Sequence, residues 1–208
     1  MKSDPTVLVA CPTHLIKFYA LYKWMAAVKA LTYSNYAVLL VDNSSNLELF
    51  YALRDLVPVI HLDIDGSAHR RIAGSMEFIR QRMIDLNFDF WLSIESDIVA
   101  PANTIETMLE WAAMESADWY SMPGPSRDDP PATGARHLFK NNFMCSLFPR
   151  ATCEKISFED APANRATDGW FLDRYFNHAP YLRVAQNTPP ILALKHLANP
   201  DKSLDVRW

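Results

Sequence analysis

The segment after the first apolar run, CPTHLIKF (residues 11–18), contains no glycine. An α/β nucleotidyltransferase would carry a glycine-rich phosphate loop there, so its absence argues against that reaction class. Cysteine is scarce as well. Cys11, Cys145 and Cys153 are odd in number and form no CxxC pair, which disfavours a disulfide framework or a thiolate zinc site and leaves reduced core thiols. No stretch approaches the roughly 18 consecutive apolar residues of a membrane helix, and the opening MKSDPTVLVACPTH reads as a strand rather than a signal peptide. A cytoplasmic protein without a membrane span is the expectation. Nor is there an excess of positive charge. The formal net charge is −4, which weakens a reading as a general nucleic-acid binder but leaves room for a local basic patch.

What is present suits one well-packed core: half of the 208 residues are hydrophobic and 21% are charged. Short unbroken apolar runs at 6–13, 36–42, 58–63 and 88–95 read as strands buried on both faces. Between them, 14–31 and 69–86 carry apolar residues at helical spacing, such as Leu15, Phe18, Tyr22 and Met25, or Ile72, Met76, Ile79 and Met83. A shorter helix fits 46–56, and Asn103 with Glu106 resembles a capping box ahead of another. This alternation predicts an α/β fold with a Rossmann-like, mostly parallel central sheet flanked by helices. In the second half, 119–123 and 138–148 are strand-like and 167–178 suits a short helix. Residues 181–185 and 190–194 read as strands ahead of Lys195-His196. Residues 123–137, rich in proline, glycine and charge, read as a long loop of the kind that forms lids. No repeat or linker divides the chain.

The residues able to do chemistry gather at strand ends. FDFWLSIESDIVAP (88–101) runs into Glu95 and Asp97, spaced i, i+2, at the edge where an open α/β sheet binds its ligand. Alone, the pair suits a solvated turn as well as a metal site. In the same way Asp42-Asn43-Ser44 and Asp168 could be helix caps, and His196 an ordinary surface histidine.

Taken in order, these landmarks resemble the GT-A nucleotide-sugar glycosyltransferases, and among them the inverting family-two group, with a phage or bacterial subgroup included. The resemblance runs from about residue 6 to residue 196. Pro12-Thr13 ends the first strand as in that family, and Asp42 stands where the family's acid contacts the nucleotide base. Glu95-Ser96-Asp97 stands in place of the Asp-x-Asp motif, Asp168 in place of the catalytic acid, and His196 where many members carry a metal-binding histidine. The sequence departs from the pattern at Glu95, one methylene longer than the usual Asp, and at Thr167, where Glu is common.

The resemblance implies a single glycosyltransferase domain over 1–208, with about 1–100 binding nucleotide and about 101–208 binding acceptor. It implies transfer of a sugar from a nucleotide-diphosphate donor to an acceptor hydroxyl, with inversion. Asp97 and His196 would hold Mn²⁺ or Mg²⁺, a hard cation able to neutralise the diphosphate leaving group. Pro12, Thr13, Asp42, Arg71, Arg80, Glu95 and Ser96 would line the nucleotide-sugar site, and Asp168 would take the acceptor proton. Arg136, Lys140 and Trp170 are candidates for the acceptor side or the lid, although Trp170 also suits the core. Tyr120, Phe139 and Phe143 are expected to face the acceptor, which could be a glycan, a small molecule or a hydroxymethylated base in DNA. The rivals are a nucleotidyltransferase and a nucleotide- or carbohydrate-binding module without the chemistry.

Overall fold

The structure, a computed structural model, describes residues 4–122, 143–177, 182, 183, 185 and 194–199. Strand β1 (Val7–Thr13) leads through a 3₁₀ turn (Leu15–Lys17) into α1 (Phe18–Lys29). There follow β2 (Tyr36–Asp42), α2 (Glu48–Leu53), β3 (Val59–His61), α3 (Ala68–Asp85) and β4 (Phe90–Ile94). Then come β5 (Ile98–Val99), α4 (Thr104–Met114), β6 (Tyr120–Ser121), β7 (Cys145–Pro149), α5 (Arg150–Cys153), α6 (Thr167–Leu172) and β8 (Lys195–His196).

Six strands form one sheet in the order β3-β2-β1-β4-β7-β6. Strands β3, β2, β1 and β4 are parallel, while β7 runs antiparallel between β4 and β6. The period-two alternation of side chains explains why β1 is apolar at nearly every position. Val7, Val9 and Cys11 enter one core with Leu21, Trp24, Ile105 and Trp111, whereas Leu8 and Ala10 enter the other with Met76, Ile79, Met83 and Trp91. Helices α1, α2 and α4 therefore cover one face and α3 and α6 the other.

The second face is aromatic. Phe148 stacks on Trp91 at 4.9 Å between ring centroids, and Phe171 of α6 packs edge-on to Phe148 and Trp119 and stacks on Phe158. Trp170 is only 8% exposed and lies against Phe158 and Tyr175, so it is a core residue and presents no open ring to an acceptor. Tyr120 and Phe143 are likewise buried, at 2% and 5%, which corrects the expectation that they face outward. The three cysteines are free and buried, and burial pushes the thiols of Cys145 and Cys153 up to about 12, so they act as packing groups.

Several boundaries differ from those read in the sequence. The first helix starts at Phe18, because His14 Nδ1 accepts from Ile16 N and sets the 3₁₀ turn ahead of it. The capping box is not formed. Asn103 already has near-helical backbone angles (φ −91, ψ 19), so its side chain bonds Thr107, and Glu106 instead accepts from Thr32 Oγ1 at 2.7 Å. The cap that does form, Ser67 at the start of α3, accepts from Arg70 N. Of the strand expected at 181–185, residues 182, 183 and 185 are described, and Trp119 N donates to the Arg183 carbonyl while Ala185 N donates to the Trp119 carbonyl at 2.9 Å, the exchange of a parallel strand pairing beside β6. Of 190–194 only Leu194 lies within the described residues. Lys195–His196 pairs with β5 and makes a separate two-stranded sheet.

Helix α3 is fastened to the segment after α5 by an ion pair. Arg80 donates to Glu77 through Nε and Nη2 and to the Cys153 carbonyl through Nη1, while Glu77 Oε2 accepts from Phe158 N at 2.8 Å. Burial opposes the charge on Glu77, but these donors outweigh it and hold its carboxyl below the usual range. A lowered folded pKa gives stability that is present above the ordinary value and is lost as pH falls through the folded one. Glu77→Gln is therefore expected to lower the unfolding free energy by about 1.5–3 kcal/mol at neutral pH. The gap to wild type should close on acidification below the ordinary carboxylate pKa, as read by urea unfolding at a series of pH values.

Candidate active site

All four parallel strands end at one edge. There Thr13 pairs in register with Asp42, Asp42 with His61, and β4 runs on into Glu95-Ser96-Asp97. Thr13 Oγ1 donates to Ser96 Oγ at 3.2 Å, which ties the end of β1 to the loop after β4. A turn in which Ile98 N donates to the Glu95 carbonyl, with Leu197 N donating to the Asp97 carbonyl, fixes the loop and brings β8 beside it. Asp97 and His196, 99 residues apart in sequence, meet this way, with His196 Nε2 3.1 Å from Asp97 Oδ2.

Asp97 is fully buried. The same Oδ2 accepts from Lys17 Nζ and lies 3.3 Å from Tyr19 Oη, whose proton can also reach the Leu197 carbonyl at 3.1 Å. Burial alone would raise the pKa of this carboxyl, but His196 and Lys17 hold it well below the usual range. Glu95 contrasts with it: no hydrogen bond engages its side chain among the described residues. Burial first, and then the charge of Asp97, push its pKa up to about 7, with Asp168 adding to the rise and Lys17 opposing it. Asp168, in the first turn of α6, lies near enough for its charge to act on Glu95. Asp168 Oδ1 accepts from Gly169 N, whereas Asp173 is held by Arg165 and so is less suited to act as a base.

Both carboxylate oxygens of Asp42 are engaged within the protein. The residue is completely buried; Oδ1 accepts from Ser44 N and Oγ at 2.9 and 2.5 Å, and Oδ2 lies 2.9 Å from His61 Nδ1. Ser44 Oγ in turn accepts from Leu15 N at 2.8 Å. Asp42 thus orients His61 and, through Ser44, the turn that carries Lys17. Pro12, at the same strand end, is half-buried.

The arginines separate by position. Arg71, near the start of α3, donates to the Gly66 carbonyl at 2.7 Å, and its buried Nε has no partner among the described residues. Its charge reaches His14, whose pKa is lowered by burial and then by Arg71. Arg80 lies about two and a half turns further along a helix that runs away from this edge, and its guanidinium is committed to Glu77 and Cys153. The expectation that Arg80 meets the diphosphate is therefore not supported. Arg136 and Lys140, with Phe139, lie outside the described residues. Lys17, Tyr19 and His61 join the site without belonging to any of the sequence landmarks. A histidine ending the third strand, in register with Asp42, is the one available signal for His61.

The donor set fits a hard divalent cation: a carboxylate oxygen and an imidazole nitrogen converge on one point. Among the described residues no group of three or more His, Cys, Asp or Glu that could hold a metal ion is found.

No family model and no curated protein sequence matches the chain. Solved structures do. S. aureus TarS 1–349 in complex with UDP-GlcNAc superposes with a TM-score of 0.68 at 13% identity, covering 98% of this chain and 61% of that one. S. aureus TarS gives 0.66 at 12% identity, covering 95% and 38%. Mannosyltransferase PcManGT from Pyrobaculum calidifontis, in complex with GDP-Man and Mn²⁺, gives 0.57 at 14% identity, covering 80% and 50%. The chain has the GT-A fold, and it spans less than two thirds of the length of these neighbours. Among the described residues no helix is long and apolar enough to cross a membrane.

Ser44→Ala would remove the acceptor for Leu15 N and one donor to Asp42. It is expected to cost about 1–3 kcal/mol in urea unfolding and to speed hydrogen exchange at the Leu15 amide relative to wild type.

Proposed function

We propose that this chain is a metal-dependent glycosyltransferase that moves a sugar from a nucleotide-diphosphate donor to an acceptor hydroxyl with inversion. The observation that carries the reading is the convergence of Asp97, His196, Glu95 and Asp168 at the ligand-binding edge of a GT-A sheet. The fold neighbours in complex with UDP-GlcNAc and with GDP-Man and Mn²⁺ support it by analogy of fold.

Asp97 and His196 would hold Mn²⁺ or Mg²⁺, which neutralises charge on the departing diphosphate. His196 Nε2 must give up its proton to serve as a ligand. Arg71 carries a fixed positive charge at the start of α3, towards the donor. His61, with Nδ1 turned to Asp42, would offer Nε2 to the nucleotide, so Asp42 acts through His61 and does not read the base itself. Thr13 and Ser96 hold the two strand ends together beneath the donor. Asp168 would accept the proton of the attacking hydroxyl, a step typically worth about 10²–10⁴-fold in rate. Direct attack from the face opposite the leaving group inverts the anomeric centre. The acceptor class is a glycan or small molecule, with a hydroxymethylated DNA base as the alternative that a salt-dependent binding assay would reveal.

A second reading, nucleotide-sugar binding without transfer, is favoured by one observation: Lys17 already meets the charge of Asp97. The two readings separate by experiment. UDP- and GDP-sugars should raise the melting temperature more with Mn²⁺ than without it, because ligands of the folded state stabilise it, and Asp97→Ala should abolish the Mn²⁺-dependent part. Asp168→Asn should keep that thermal shift and lose about 10²–10⁴-fold in transfer or donor hydrolysis. Wild-type turnover retained in Asp168→Asn would remove it as the base, and donor binding with no turnover in wild type would favour the second reading.

A further inference from the structure

Asp97 sits where water cannot solvate it, so its charge needs donors in direct contact. Among the described residues Lys17 supplies a cationic one, on the same oxygen that His196 Nε2 and Tyr19 Oη approach. The lysine is steered there. It closes the 3₁₀ turn Leu15–Lys17, whose entry is pinned by His14 accepting from Ile16 N and by Leu15 N donating to Ser44, itself held by Asp42. Its side chain is 19% exposed, so the ammonium reaches inward although its long stem could carry it out to water. Whichever Asp97 oxygen a metal took beside His196 Nε2, it would sit close to the ammonium that Lys17 places on Oδ2, and a dication and an ammonium held against one carboxylate repel strongly. Lysine suits a change of partner, because it is a compact charge on a flexible four-carbon stem.

We propose that Lys17 is the resident counter-ion of Asp97 and exchanges partners as the donor binds: the divalent cation takes the Asp97 carboxylate from it, and the released ammonium turns to the diphosphate. This rests on the reading of Asp97 and His196 as metal ligands. It makes metal and nucleotide bind cooperatively. The metal alone must break the Lys17–Asp97 pair with nothing to receive the lysine, whereas diphosphate provides the new partner. By linkage, each ligand then raises the affinity of the other by the same factor.

The test measures Mn²⁺ binding from the loss of the free-ion electron paramagnetic resonance signal, with and without UDP or GDP. Asp97→Ala serves as the control for Mn²⁺ bound to nucleotide in solution. Lys17→Met is expected to bind Mn²⁺ alone at least tenfold more tightly than wild type and to lose most of the enhancement that nucleotide gives. Lys17→Arg, which keeps the charge, should bind Mn²⁺ alone as weakly as wild type. Equal or weaker binding of Mn²⁺ alone by Lys17→Met, with Asp97→Ala still abolishing it, overturns the exchange and leaves the metal site standing. Absence of Asp97-dependent Mn²⁺ binding in every variant, with or without UDP or GDP, overturns both. Should Lys17→Met be poorly folded without metal, its melting temperature reports the same thing. A larger rise with Mn²⁺ than in wild type supports the exchange, and an equal or smaller one overturns it.

Discussion

The site is organised around the cost of keeping one carboxylate, Asp97, away from water. Removing such a charge from solvent costs several kcal/mol unless opposite charge and donors replace the lost hydration. Among the described residues the replacements include Lys17 from the turn before α1, Tyr19 two residues further on in α1, and His196 from β8. Each has to be delivered, and the surrounding structure does this. Trp24 Nε1 bonds the Ile94 carbonyl at 3.0 Å and so holds α1 to the end of β4, the Asp42–Ser44 pair holds the turn, and the β5–β8 ladder holds the histidine. A protein selected for stability alone would do as well with an apolar residue at this position.

The two faces of the sheet divide the labour. One packs α1 and α4 through aliphatic residues and indoles and bears on the Lys17 side of the cleft. The other packs α3 and α6 through an aromatic cluster in which Phe171 sits between Phe158 and Phe148. Asp168, three residues before Phe171 on a helix of only six residues, takes its position from that packing, since so short a helix has little stability of its own. Asp168 is thus held in place by rings packed in the core.

Much of this architecture is legible in the order of residue types alone. The unbroken runs VLVAC, AVLLV and FWLSI announce buried parallel strands, because a strand covered on both faces has no polar side to show. The acids that follow two of them, Asp42 and Glu95, mark the carboxyl edge of the parallel strands. Other features resist such reading for physical reasons. A pattern of residue types does not reveal what a side chain bonds. Arg80 therefore resembles a phosphate ligand although Glu77, one turn away, claims it, and Asn103 resembles a cap although its backbone angles preclude capping. Aromatic residues flanking a polar loop, Tyr120 and Phe143, suggest an open surface, yet their rings fill the core. Lys17 carries no signal, because its importance arises from a short turn bringing it to an acid 80 positions away in sequence.

That separation has a temporal side. The main sheet up to β4 closes with contacts made within the first 94 residues, but the cleft waits for the two-residue strand β8. Closing so long a loop is entropically expensive and comes late in folding. Lys17 meets Asp97 within the first 97 residues, so the carboxylate has a counter-ion that does not depend on that closure.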